Sequence, residues 1–247
     1  EYWSAFFGPR PDSVKSRIEE FSGGRATVSG GVFGYFSLPS SLFTCTGLGW
    51  VTGETMRQAT ASHDLSSYQR FVFIAPVPAS EVCGYTGVAT MGCYLGAVEG
   101  TGSRPVSWVY LFHASPAALR ANSDLAMPAV HELGHNLGLG HARSRAYTNG
   151  PLAADETSSI AAEYGDMYSV MGGAAGLAPA SPHLAMLGWL DGAEQWRPVE
   201  SDTDVVLAAA GSSAGKLKAI RVRRRVGGDE WLWLEHREAI GVRYSGA

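Results

Sequence analysis

The 247-residue chain predicts an α+β fold, with stretches of helical period and stretches of strand length both present. Three observations predict it. Apolar residues keep helical spacing over residues 12–21 and again before Gly138. Short runs of Phe, Val, Trp and Tyr at strand length lie between those helices. From Val205 onward, the apolar runs all have strand length.

Taken in order, Asp12 or Ser13 can cap a first helix in which Val14, Ile18 and Phe21 share a face. Residues 26–38 are rich in Val, Phe and Tyr with interrupting glycines and predict a strand with a bulge or bend. Residues 52–63 predict a second helix, entered at Thr52-Gly53-Glu54. Residues 71–75, stopped by Pro76, and residues 107–112 predict buried strands, with glycine-rich residues 84–102 as a looped sheet edge beside a cleft. A third helix starts between Asp124 and Pro128 and ends at Gly138, with Asn122, Ser123 and Asp124 as cap candidates. Val130, Leu133 and Leu137 form its apolar stripe. Residues 143–164 have no period and predict a surface loop, and residues 181–190 a helix entered by Pro182. Residues 205–207, 217–222 and 231–235 predict strands of a separate β-rich segment.

Composition narrows the function. A hydrophobic share of 45% against 17% charged reads as globular. A net charge of −4 supplies no basic patch for nucleic acid or an anionic membrane, and no apolar stretch approaches bilayer length. Glu1 is not an initiator Met, no signal-peptide pattern follows it, and the chain stops at Ala247 within strand-like sequence, so both ends are expected to be cut. Cys45, Cys83 and Cys93 make one disulfide and one spare thiol the simplest arrangement, which fits a secreted protein better than a cytosolic one. Cys83 and Cys93 could close a short loop; the sequence leaves the pairing open.

Residues 131–141, HELGHNLGLGH, carry the chemistry. On a helix, His131 and His135 lie one above the other and present their imidazoles from one face. Glu132 sits beside the first ligand, placed to reach a metal-bound water without being a ligand. Gly138 lets the chain leave the helix with positive φ, so that His141 can return to the same metal. Three neutral imidazoles leave the fourth zinc position open, the arrangement of a catalytic site. His63, His113, His183 and His236 lack ligand spacing and read as packing or surface histidines. Arg221, Arg223, Arg224 and Arg225 read as a solvated strand face, and Trp231 and Trp233 as core or an interdomain contact.

The motif resembles that of the metzincin zinc endopeptidases, in which the extended histidine run is followed by a methionine turn. Residues 164–172, YGDMYSVMG, look like that turn, with Met171 as its methionine. The wording HELGHNLGLGHA with YGD and VMG is most similar to the gametolysin-type peptidases. Ser13-Val14, residues 19–25, Cys45, Cys83 and Leu187-Gly188-Trp189 extend the likeness over most of the chain. Two departures are Tyr168, where a small polar residue is expected, and Gly173, where some metzincins carry a tyrosine that assists the transition state. The resemblance implies a metzincin-like catalytic domain over residues 1–192, truncated at its N-terminus, and an incomplete β-rich segment over 193–247. It implies a twisted mixed sheet, a zinc-binding helix flooring an extended cleft, Met171 supporting the histidines, residues 172–181 shaping the pocket beyond the scissile bond, and Cys45 paired with Cys83.

The expectation is a secreted, monomeric zinc metalloprotease: a hydrolase with Zn²⁺ on His131, His135 and His141 and Glu132 as general base. Its expected partner is a protein or peptide substrate, with extracellular matrix or cell-wall glycoprotein as candidates, and neither nucleic acid nor a membrane span. The alternative is a zinc-binding adhesion or recognition module with little or no turnover; a zinc hydrolase of non-peptide amides is a further rival.

Overall fold

The computed structural model describes residues 2–77, 84–98, 102–112, 125–148, 159–173, 178–192, 194–210, 216–225 and 227–237. It is an α+β chain with mixed sheets. The chain divides into two compact units: Glu1–Val14 with Val28–Leu139, and Lys15–Thr27 with Gly140–Ala247. Among the described residues no helix is long and apolar enough to cross a membrane.

The first unit contains α1 (Tyr2–Phe7), α3 (Leu48–Thr60), a four-stranded sheet and α4 (Ala126–Asn136). The sheet is built on β4 (Gly102–Phe112). On one side β4 pairs in parallel with β1 (Arg70–Ala75). On the other it pairs antiparallel with β2 (Gly87–Ala89) and β3 (Tyr94–Val98), so the glycine-rich stretch expected as a looped sheet edge does border the sheet and carries two short strands among its described residues. Side chains alternate along β4. Val106 and Trp108 enter a core with Met56, Ala59, Leu65 and Val98, against which Phe71, Phe73 and Tyr110 pack. The ring of Trp108 stacks on Phe71 at 4.9 Å between centroids, and Phe73 stacks on Tyr110 at 5.2 Å. Ser107, Val109 and Leu111, all fully buried, take the opposite face, and α4 packs along β4 and β2.

Several sequence expectations fail in this part of the chain. Residues 26–38 form no strand; Phe33 and Phe36 bury their rings against the core, and the interrupting glycines remove the continuous ladder a strand requires. The second helix begins at Leu48, four residues before the expected Thr52, because the Gly47 carbonyl already accepts Val51 N–H at 3.1 Å. Leu137 does not complete the apolar stripe of α4: it caps the helix and is 36% exposed. The cap candidates Asn122, Ser123 and Asp124 lie outside the described residues, as do Cys83 and His113. Cys93 is free and exposed, so it does not close a short loop with Cys83.

The second unit holds α2 (Val14–Phe21) over most of its length, the hairpin of β5 (Ser144–Tyr147) and β6 (Ser159–Ala162), α5 (Ser181–Met186) and a three-stranded sheet. In that sheet β7 (Trp196–Val199) runs parallel to β8 (Ala219–Arg223), which pairs antiparallel with β9 (Trp231–Glu235). The hairpin replaces part of the expected 143–164 loop. Its strands are almost wholly exposed and rich in Ser and Ala, so they carry no apolar alternation. Residues 205–207 lie beside the sheet without joining a strand. Trp231 and Trp233 are half-buried rather than core; the Arg221 guanidinium stands over Trp231 at 4.3 Å and over Trp196 at 4.9 Å. Arg224 pairs with Glu230 at 3.1 Å. The end of β9 grips the start of α5: Glu235 accepts from Ser181 N–H at 3.0 Å and from its hydroxyl. Arg237, itself 2.7 Å from Glu235, donates to the carbonyls of Tyr168, Ala178 and Pro179.

Trp108→Ala should cost about 3–5 kcal/mol, since it empties the centre of the aromatic stack, whereas Trp50→Ala, at a position 74% exposed, should stay within about 0.5 kcal/mol. Urea unfolding of the two variants against the parent, followed by circular dichroism, checks the contrast.

Candidate metal centre

His131, His135 and His141 offer ligand nitrogens that all lie within 4.8 Å of one another. The first two are placed by α4, their rings 4.9 Å apart and edge-to-face. The third follows from the way the helix ends. Gly138 takes φ 91°, a region where a Cβ is penalised, while Gly138 N–H bonds to the His135 carbonyl at 2.9 Å and Leu139 N–H to the Gly134 carbonyl at 3.0 Å. These crossed bonds close the helix and turn the chain within two residues.

The donor set suits a small divalent cation. Bonds of about 2.1 Å to three imidazoles in tetrahedral arrangement place the nitrogens roughly 3.4 Å apart, so modest side-chain rotation closes the cluster. Tautomers point the same way. His135 Nδ1 lies 2.7 Å from the Leu139 carbonyl, and His141 Nδ1 lies 2.8 Å from Glu163 Oε1. Both partners only accept, so Nδ1 carries the proton and Nε2 keeps its lone pair for a metal.

Glu132 is 6% exposed, and burial pushes its carboxyl up to about 7. The space for it is made by Gly87 on β2: a Cβ there would stand 2.6 Å from Glu132 Oε1 and 2.8 Å from its Cγ. The end of α4 is tied to the sheet by Asn136, whose amide donates to the carbonyls of Thr90 at 2.9 Å and Trp108 at 3.2 Å. Gly92 N–H, in the bulge between β2 and β3, donates to the His135 carbonyl at 2.8 Å.

Beyond His141, Ala142 N–H donates to the Met171 carbonyl at 2.7 Å, and Asp166 N–H returns to the Ala142 carbonyl at 3.1 Å. Met171 is fully buried in this turn, and Ser169 Oγ accepts from its N–H at 3.2 Å. Glu163 also pairs with Arg143 at 2.9 Å; hydrogen bonds from His141 first and Arg143 second hold its carboxyl below the usual carboxylate range. Of the other histidines, His63 packs on Phe33 at 4.7 Å between ring centroids, and His183 and His236 stand on α5 and after β9. Motif spacing named His131, His135 and His141, which lie together, and Glu132 beside them on α4. It missed Gly87, Asn136 and Glu163, which reach the site through strand pairing and helix docking; the Asn in HELGHN was visible, but its partners were not.

No protein-family model matches the chain, and no curated protein matches it either. The geometry itself defines a three-histidine cluster close enough to hold a metal ion.

Asn136→Asp should destabilise the protein more than Asn136→Ala. Alanine removes the Asn136 donor from the Thr90 carbonyl and one of the two donors from the Trp108 carbonyl, which keeps Thr90 N–H, at about 1–3 kcal/mol; aspartate adds a carboxylate facing those carbonyls. Thermal unfolding of both variants, free of added metal, reads the order.

Proposed function

We propose that the chain is a zinc-dependent endopeptidase of the metzincin type, most similar to the gametolysin-type enzymes and, by the same resemblance, secreted. The observation that carries the reading is the three-histidine cluster with a buried carboxyl at the adjacent position of the same helix. Zn²⁺ is the cation that three imidazoles at this spacing favour. When bound, zinc supplies a Lewis acid that acidifies water to a pKa near 7 and polarises a carbonyl.

The protein's own groups do the rest. Glu132 accepts the proton of the attacking water and delivers it to the departing amine nitrogen, which leaves poorly unless protonated. Gly87 keeps β2 close without displacing the carboxylate. Met171, buried in the turn bonded to Ala142, serves as the methionine support of the ligand set. Cys45 and Cys83 are the proposed disulfide, with Cys93 the spare thiol. The substrate is a protein or peptide.

Cleavage of a casein substrate should be abolished by a zinc chelator and restored by added zinc. Glu132→Ala should retain one zinc per chain yet lose activity by several orders of magnitude; near-normal turnover in the zinc-loaded variant, or none in the parent, would sink the peptidase reading. Gly87→Val should bind zinc as the parent does but cleave at least about tenfold more slowly, because the added side chain displaces Glu132. Zinc content and initial rates on the same preparations test this.

A further inference from the structure

We propose that Glu163 and Tyr164 are positioning residues for the third ligand, fixing the ring of His141 in the tautomer and orientation a metal needs. The proposal rests on the zinc reading above and adds to the site two residues outside the histidine motif. The need arises from the backbone. His131 and His135 are aimed by the regular geometry of α4, but His141 follows a turn and belongs to no helix or strand. Something else must hold its ring.

The β5–β6 hairpin supplies it. Pairing of Ser144 with Ala162, carried one step further, sets Arg143 opposite Glu163, and the two form an ion pair at 2.9 Å. The braced Glu163 carboxylate then accepts from His141 Nδ1–H at 2.8 Å. The next residue, Tyr164, lays its ring against the imidazole, with centroids 4.0 Å apart and planes at 41°. One contact acts in the plane of the imidazole and the other on its face, so together they restrict rotation about both side-chain torsions. The bond from Asp166 N–H to the Ala142 carbonyl holds the turn that follows Tyr164 against the residue next to His141. Glu163 is 49% exposed, and an ion pair so exposed adds little to folding. Its effect is on the ligand: a carboxylate on the far nitrogen of a metal-binding histidine fixes the tautomer and raises ligand basicity, and its loss typically costs about 10–100-fold in metal affinity.

The test uses the full chain and two readouts. Nitrogen-15 NMR of the metal-free protein, at a pH above imidazole protonation, reports the tautomer of His141. Competition against a chromophoric chelator reports the zinc Kd. The parent should show Nδ1–H at His141. Glu163→Ala should mix the tautomers and weaken zinc binding by about 10–100-fold, while Glu163→Gln, which keeps an accepting oxygen, should recover most of the loss. Arg143→Ala removes the brace but not the acceptor and should stay within about threefold of the parent. A folded Glu163→Ala protein with the parental tautomer or the parental zinc Kd overturns the proposal alone. A parent that takes up no zinc overturns the metal reading, and this proposal with it.

Discussion

The last turn of α4 is held to the sheet by hydrogen bonds from both partners, and the site depends on that attachment. Asn136 donates to two strand carbonyls, Thr90 and Trp108, and the bulge returns a bond from Gly92 to the His135 carbonyl. The His135 carbonyl, which also accepts from Gly138 N–H, and the Trp108 carbonyl, which also accepts from Thr90 N–H, each gain a second donor across the helix–sheet contact. The consequence is rotational: α4 cannot turn about its axis without breaking buried hydrogen bonds, so the face carrying His131 and His135 is fixed relative to β2. The closeness of Gly87 to Glu132 follows from the same docking.

The helix contributes two ligands through its own geometry, whereas the third depends on the chain that follows. Ala142 exchanges backbone bonds with Met171 and Asp166, which makes residues 142 and 166–171 one hydrogen-bonded loop. Ser169, fully buried, serves two segments at once, its hydroxyl accepting from Met171 N–H and Ala180 N–H. The turn containing Met171 is therefore linked backward to Ala142, next to His141, and forward to the entrance of α5. A buried methionine in such a junction fills irregular space without demanding a polar partner.

How far the sequence could be read follows from the range of the interactions involved. The histidine spacing and Gly138 were legible because helix pitch and a single positive-φ turn relate residues within eleven positions. β1, most of β4, β8 and β9 were legible because each has a run of apolar or aromatic residues at strand length. Residues 26–38 have the same aromatic richness but pack without a ladder, so side-chain character misled where hydrogen bonding decides. β5 and β6 have the opposite problem: their order comes from backbone pairing between exposed Ser, Ala and Arg residues, and hydrophobic patterning is blind to it. Gly87 and Glu163 needed the strand register before they could be connected to the motif at all.

The end of β9 has a consequence for how this fold tolerates change. Arg237 binds the carbonyl of Tyr168 in the methionine-containing turn and those of Ala178 and Pro179 before α5, while Glu235 secures the start of α5 at Ser181. One guanidinium thus clasps both stretches, using only backbone carbonyls that every residue type possesses. The side chains at Tyr168, Ala178 and Pro179 take no part in these bonds. Selection, or an engineer, can therefore change residue type at those three positions while the clasp keeps its acceptors.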